Sequence, residues 1–468
     1  MFALAASDGE RLLLARDAFG IKPLFYALVD GGRRLIFASE LKALLEDPAL
    51  PRALDRAALV EWTTFRHMLG ERTFFKAVRQ LPPGGTLEVT RRPDGALDLR
   101  HGRHSAPRPA ALPEREDELA DRLLERLTAS VRQQALADHP VGAFLSGGLD
   151  SALMTALMAR GRQEPLHTFS IADDPASADL DVGRRLAACL GTVHHELALD
   201  PAALVDALPH TVWALEAPTE PSIIESAAPA IRRHVKAALC GDGADELFAG
   251  YAIHVVPARW LSASVDRYHR LIRSGEIRVA ECASTKEVIR GMIGLDPAAL
   301  RDAVYRFFLE GQLADAHLSV WDRGAMASGL EVRVPYLDRA VRDLARALPW
   351  ERRVHGATSK ALLREVARRA LPEALAAEIV ARRKLAAPSG VRRTCEALER
   401  VAREIVPADR AAHPLRAFCD TPEHELLFDL FVLLFVGRGG AAPEDLRLRD
   451  LYAVHRDELE AALATATA

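Results

Sequence analysis

Val141-Gly142-Ala143-Phe144-Leu145-Ser146-Gly147-Gly148-Leu149-Asp150-Ser151 is the stretch whose reading decides the fold. Residues 141–145 read as a short buried strand. Two glycines follow, and a helix opens at Asp150-Ser151 and runs on to residue 160. Glycines let the backbone approach a ligand closely and take positive φ. The helix start presents unpaired N–H groups and a positive dipole end, which together suit an anion. Ser146 and Ser151 add hydroxyl donors. A carboxylate beside a phosphate repels it unless a cation lies between them, so Asp150 is read as a Mg²⁺ ligand. The plainer alternative leaves Asp150 and Ser151 as caps of the helix. The lysine-bearing phosphate loop of the P-loop class is absent.

Outward from this stretch the pattern alternates. Strands are expected over 166–171, 193–199 and 237–240, with helices over 152–160, 182–190 and 231–236. Such alternation implies parallel pairing through right-handed crossovers, an α/β domain. Upstream, Leu119, Leu123, Leu127 and Val131 recur at the spacing of one helix face. Beyond Tyr251 nearly everything reads as helix. Residues 1–90 read instead as short strands punctuated by Asp8-Gly9, Phe19-Gly20 and Asp30-Gly31-Gly32, a β-rich block. Residues 91–114 lose periodicity and collect Arg, Pro, Gly and His, the chemistry of a linker.

A second glycine-rich turn, Cys240-Gly241-Asp242-Gly243-Ala244-Asp245-Glu246, also follows a buried strand. It starts like a dinucleotide fingerprint, but Glu246 stands where the third glycine belongs and three carboxylates would repel a pyrophosphate. A metal-assisted site fits better. Ligands of parallel α/β sheets bind at the strands' C-terminal edge, where Asp245 and Asp150 can share one Mg²⁺.

The Ser146–Ser151 run resembles the pyrophosphate loop of N-type ATP pyrophosphatases. With both loops in place, the chain resembles the glutamine-hydrolysing asparagine synthetase family of amidotransferases over about residues 1–395. Arg16-Asp17-Ala18-Phe19-Gly20-Ile21-Lys22-Pro23-Leu24 is similar to a stretch of that family's glutaminase domain. Gly191 to Glu196, Glu216 to Ser222, and Asp322-Arg323 with Gly329-Leu330-Glu331-Val332-Arg333-Val334-Pro335-Tyr336-Leu337-Asp338 resemble further family segments. Arg382-Arg383-Lys384 with Ser389-Gly390 resembles a late one. The resemblance implies a parallel-sheet ATP-pyrophosphatase synthetase domain, of the adenine nucleotide α-hydrolase type, over 115–468 with a helical C-terminal part. A partial β-rich Ntn-type glutaminase domain would precede it over 1–90.

It also implies roles. Phe144, Leu145 and Ile171 would line the adenine pocket, and Ser146, Gly147, Gly148 and Ser151 would hold the pyrophosphate. Asp150 and Asp245 would bind Mg²⁺, and Gly241 with the backbone of Cys240 would touch the nucleotide. Arg323 and Lys384 would stabilise charge on the phosphates and the adenylate, and Glu331 and Asp242 complete the catalytic set. Cys240 replaces the family's usual Ser or Thr, and Asp242 stands where many aspartate-specific members have Glu. His194 and His195 are read as structural, since neighbours on a strand point to opposite faces.

The expected reaction converts aspartate, ATP and an amine donor to asparagine, AMP and pyrophosphate through an acyl-adenylate. The family's glutaminase uses a cysteine at its mature N-terminus. Residue 2 is Phe and the first cysteine is Cys189, so the expectation is a polypeptide without glutaminase activity of its own. The other reading of the same motifs is a natural-product amide former, such as a lasso-peptide cyclase or a β-lactam synthetase-like enzyme. Expected partners are a carboxylic acid, ammonia or another amine donor, a separate glutaminase or substrate carrier, and a second copy in a homodimer.

Composition sets the outer bounds. The chain has 468 residues, 49% of them hydrophobic, and a net charge of −4, which suits a protein of two or three domains and gives no support for nucleic-acid binding. Five widely spaced cysteines without a CxxC pair fit neither a disulfide scaffold nor a zinc site, and a reducing cytoplasm is the expected compartment. No signal peptide is expected from residues 1–6. The most apolar run, 426–436, is too short for a membrane span and carries Asp429, so it is expected as a buried helix.

Overall fold

A computed structural model describes residues 1–104, 111–113, 115–162, 164–356, 358–382, 391–408 and 413–467. The N-terminal block is antiparallel. Strands β1 (Ala3–Ser7), β2 (Arg11–Arg16), β6 (Gly85–Arg91) and β7 (Leu97–Arg103) form one sheet in the order β1-β2-β6-β7. Strands β3 (Phe25–Val29), β4 (Arg34–Ala38) and β5 (Val78–Gln80) form a second in the order β4-β3-β5. Alternation drives the pairing: along β6, Leu87 and Val89 turn inward to meet Leu14, Leu24, Tyr26 and Leu81, while Thr86, Glu88 and Thr90 turn away. Strand β7 lies within the segment expected as a linker. It is an edge strand in which only Leu97 and Leu99 turn toward the sheet's core while its Arg, His and Gly residues are exposed, so the apolar alternation stops after two residues.

The second sheet system is parallel throughout. Strands β8 (Val141–Phe144), β9 (His167–Ala172), β10 (Val193–Ala198), β11 (Ala237–Leu239) and β12 (Glu331–Arg333) lie in the order β10-β9-β8-β11-β12. The molecule is thus an α/β protein with a parallel sheet and many helices. The chain moves outward from β8 to β9 and β10, then returns to add β11 and β12 on the other flank. The order therefore reverses between β8 and β11, and the crevice at a sheet's C-terminal edge opens at such a switch point. Strand β12 was not expected, because three residues with one buried apolar side chain, Val332, carry no periodicity; pairing to β11 defines it. The helix expected over 231–236 lies earlier, at Ile223–Arg232, and a turn leads into β11.

The helix Glu116–Gln134 buries Leu119, Leu123, Leu127 and Val131, each at 2% exposure or less, against the parallel sheet's core. The run 426–436 is a buried helix, Pro422–Phe431, which continues in wider turns to Gly437. Asp429 is tolerated inside it because its carboxylate accepts hydrogen bonds from His413 Nε2 and Tyr452 Oη, both at 2.8 Å. These C-terminal residues do not extend the parallel sheet's core. Leu426, Phe431 and Leu434 pack with Phe25, Leu45, Leu59 and Phe75 of the N-terminal block, so the chain's two ends share one hydrophobic core. No described helix is long and apolar enough to cross a membrane.

Candidate functional site

The loop after β8 is held by its own serine. Ser151 Oγ accepts the Ser146 N–H at 3.1 Å and lies 2.9 Å from Ser146 Oγ. Gly147 takes φ +72°, and a Cβ there would run into the Asp179 carbonyl oxygen. The helix Leu149–Ala159 starts behind Gly148, which has no side chain to cap it. Its first-turn N–H groups therefore face the crevice without a side-chain acceptor. Tyr336 donates its hydroxyl hydrogen to the Asp150 carbonyl at 3.0 Å and ties this turn to the segment after β12.

The loop after β11 lies directly on it. The Cys240 N–H donates to the Arg333 carbonyl at 2.8 Å, which carries the sheet pairing one residue further. A Cβ on Gly241 would meet Asp150 Cβ and the Ser151 nitrogen, both at 3.1 Å, so glycine is what allows the two loops to touch. Asp150 and Asp245 converge on one ammonium: Lys360 Nζ pairs with Asp150 Oδ2 and lies 2.6 Å from Asp245 Oδ1. Lys360 is 3% exposed and takes φ +57° at the start of the helix Ala361–Ala370. Gly250 packs against the same pair, where a side chain would displace both Asp245 and Lys360.

The loops wall a cavity of about 330 Å³. Phe144, Ile171 and Trp321 form an apolar side, with the Phe144 and Trp321 rings edge-on at 4.9 Å. Ser146, Gly148, Asp150, Ser151, Cys240, Gly241, Asp242 and Asp245 line it as well. Leu145 and Gly147 stand behind this wall: Leu145 is fully buried, with its carbonyl accepting from the Ser170 hydroxyl. Cys240 donates its thiol hydrogen to Asp242 at 3.4 Å, and burial, then Asp242, push that thiol's pKa well up, so it stays protonated. Among the described residues three cations ring the cavity, Lys360, Arg364 and Arg382; the expected Lys384, with Arg383, lies outside the described residues. Arg382 pairs with Asp179. Arg364 donates to the Ser359 carbonyl at 2.8 Å and the Arg382 carbonyl at 3.1 Å, and burial lowers its pKa against the pull of Asp150.

Two expected residues are not brought here. Arg323 lines a separate cavity of about 450 Å³ between the N-terminal block and the helices. It donates to the Leu215 carbonyl at 2.7 Å, lies 3.5 Å from Glu216 and stacks its guanidinium over Phe25. Glu331 is the first residue of β12, hence at the sheet's N-terminal edge, where it pairs with Arg333 at 3.1 Å. Neither lines the crevice, because motif order in the chain does not state which strand end a residue occupies. The motif residues Lys22 and Asp322 instead meet each other at 2.5 Å across the interface. Lys360, Arg364 and Trp321 were missed by sequence reasoning. The one signal was a lysine just before a helix in an arginine-rich chain.

The family model described as asparagine synthase matches residues 122–429, which include both loops, Lys360 and β8 to β12. The chain belongs to the asparagine synthase family. A model described as a glutamine amidotransferase domain matches residues 1–95, the antiparallel block. Relatives include asparagine synthetase (glutamine-hydrolyzing) 1 of Bacillus subtilis, 29% identical over 435 residues, 81% of this chain and 65% of that one. Asparagine synthetase (glutamine-hydrolyzing) 3 of the same organism is 28% identical over 411 residues, 80% and 65%. Asparagine synthetase B (glutamine-hydrolyzing) of Escherichia coli is 26% identical over 402 residues, 80% and 59%. The chain thus spans about two thirds or less of the length of these asparagine synthetases. The natural-product reading of the motifs gains no support from them.

Proposed function

We propose that the chain is an ATP-dependent amide-forming ligase that activates a carboxylate, aspartate first among candidates, in the 330 Å³ cavity. The observation that carries this reading is the convergence of Asp150 and Asp245 on Lys360 beside an uncapped helix N-terminus. Phe144, Ile171 and Trp321 offer an apolar face for adenine. The Ser146–Ser151 loop and the helix start offer N–H and hydroxyl donors to phosphate oxygens, as expected of an ATP-pyrophosphatase fold. Oxygen donors already arranged around a cation suit a hard divalent ion, so Asp150 and Asp245 would hold Mg²⁺, which would neutralise phosphate charge.

Two bond exchanges make up the reaction. A carboxylate oxygen of the acid bonds to the α-phosphorus as the bond to the bridging oxygen breaks, and pyrophosphate leaves. An amine nitrogen then bonds to the acyl carbon as the bond to the adenylate oxygen breaks, AMP leaves and the nitrogen loses its proton. Charge builds on phosphoryl oxygens in the first exchange, where Lys360, Arg364 and Arg382 would stabilise it more than the ground state. The division into a glutaminase-like block over 1–90 and a synthetase domain over 115–468 belongs to the same proposal, as does ammonia or glutamine as the nitrogen source.

ATP–pyrophosphate exchange with a panel of carboxylic acids tests the reading. Exchange stimulated by aspartate and lost in Asp150→Ala supports it. Exchange stimulated only by a larger amino acid or a peptide removes aspartate, and no exchange with any acid removes the ligase. Amide formation with ammonia against glutamine then assigns the nitrogen source.

A further inference from the structure

The sheet's other edge carries a separate cluster. His167 opens β9, His195 stands third in β10, and His234 lies in the turn leading into β11. In the parallel register Val193 faces His167 and His195 faces Phe169, so His167 and His195 project from one face of the sheet. His167 Nδ1 lies 3.0 Å from His195 Nε2. The His234 ring centre is 4.1 Å from that of His195 and 5.7 Å from that of His167. One ring nitrogen of each of the three lies within 4.8 Å of the other two. Burial, then the neighbouring histidines, lower the pKa of His167 and His195. Neutral imidazole is the metal-binding form.

We propose that His167, His195 and His234 form a site for one borderline-soft divalent ion, zinc first, held through three ring nitrogens with solvent at the fourth position. Zinc–nitrogen bonds of about 2.0–2.1 Å with tetrahedral angles set nitrogens roughly 3.4 Å apart, close to the 3.0 Å between His167 and His195 and inside the 4.8 Å limit that holds all three. His234 is exposed. An all-nitrogen set disfavours Mg²⁺ and Ca²⁺, which take oxygen, so the site is chemically distinct from Asp150 and Asp245 at the opposite edge. Its effect would be to tie β9, β10 and the entry to β11 together at the end of the sheet remote from the ligase chemistry. The competing account is a hydrogen-bonded imidazole stack that takes no ion.

The untagged full-length protein, stripped with a chelator and held in excess Mg²⁺, is titrated with Zn²⁺ against a chromophoric chelator, and with Co²⁺ by visible absorption. One equivalent with the strong visible bands of four-coordinate Co²⁺ is expected. His234→Ala and His234→Gln, at an exposed position, should weaken Zn²⁺ by at least about 100-fold, the upper end for loss of even a supporting group. Cys189→Ser, at an exposed thiol, should leave the affinity unchanged. The proposal is overturned by the absence of a saturable equivalent, or by one that survives both His234→Ala and His167→Ala.

Discussion

Lys360→Met tests the centre of the site. The lysine side chain is 4% exposed, and Asp150 and Asp245 are 14% and 9% exposed, so the substitution leaves two carboxylates facing each other with little water. At an effective dielectric of about 20, unit charges 2.6 Å apart attract by roughly 6 kcal/mol. Desolvation of the ammonium takes back a part, and breaking a buried pair from one side costs about 3–5 kcal/mol in net stability. Urea unfolding followed by circular dichroism should therefore show Lys360→Met less stable by about that amount at neutral pH. Mg²⁺ supplies the missing positive charge, so it should restore more stability to the variant than it adds to the parent protein, by RT ln(1 + [Mg²⁺]/Kd). A loss under about 0.5 kcal/mol, the range of ordinary surface substitutions, with no differential response to Mg²⁺ would refute the reasoning.

Four further outcomes are expected. Gly241→Val presses a side chain onto Asp150 and Ser151, and a misplacement near 1 Å should cut ATP–pyrophosphate exchange about 100-fold with the fold intact by circular dichroism. Arg323→Ala, outside the nucleotide cavity, should leave exchange close to the parent value. Asp429→Ala removes the carboxylate that the buried Tyr452 hydroxyl and His413 ring share and should cost roughly 2–4 kcal/mol in thermal or urea unfolding. Burial raises the Asp315 pKa from 3.8 to about 6 against the pull of Arg16. The folded state then binds the proton more tightly than the unfolded state, so stability falls as pH rises between those values and stays lower above. Asp315→Asn should flatten that limb of the unfolding profile and gain roughly 1–3 kcal/mol at pH 7.

The parts of the fold legible in the sequence were those whose signal is local. Leu119, Leu123, Leu127 and Val131 mark a helix face because spacing alone puts them on one side. Residues 141–151 mark a strand, turn and helix because buried β-structure, glycine and a helix start follow within eleven positions. Strands β7 and β12 were not legible. The edge strand β7 alternates only through Leu97 and Leu99, too short a pattern to read, and three residues become a strand only when β11 lies beside them.

The sequence by itself determined that this chain carries two glycine-rich turns after buried strands, each with a carboxylate, and it assigned the chain to its family through them. Only the tertiary structure decided that the turns flank one switch point, that Lys360 from more than a hundred residues downstream lies between their carboxylates, and that Arg323 and Glu331 face elsewhere. It also decided that the C-terminal helices complete the core of the N-terminal block. The physical reason is common to all of these: which strand end a side chain occupies, and which charge it meets there, depends on strand order and chain crossover, and neither leaves a mark on neighbouring residues.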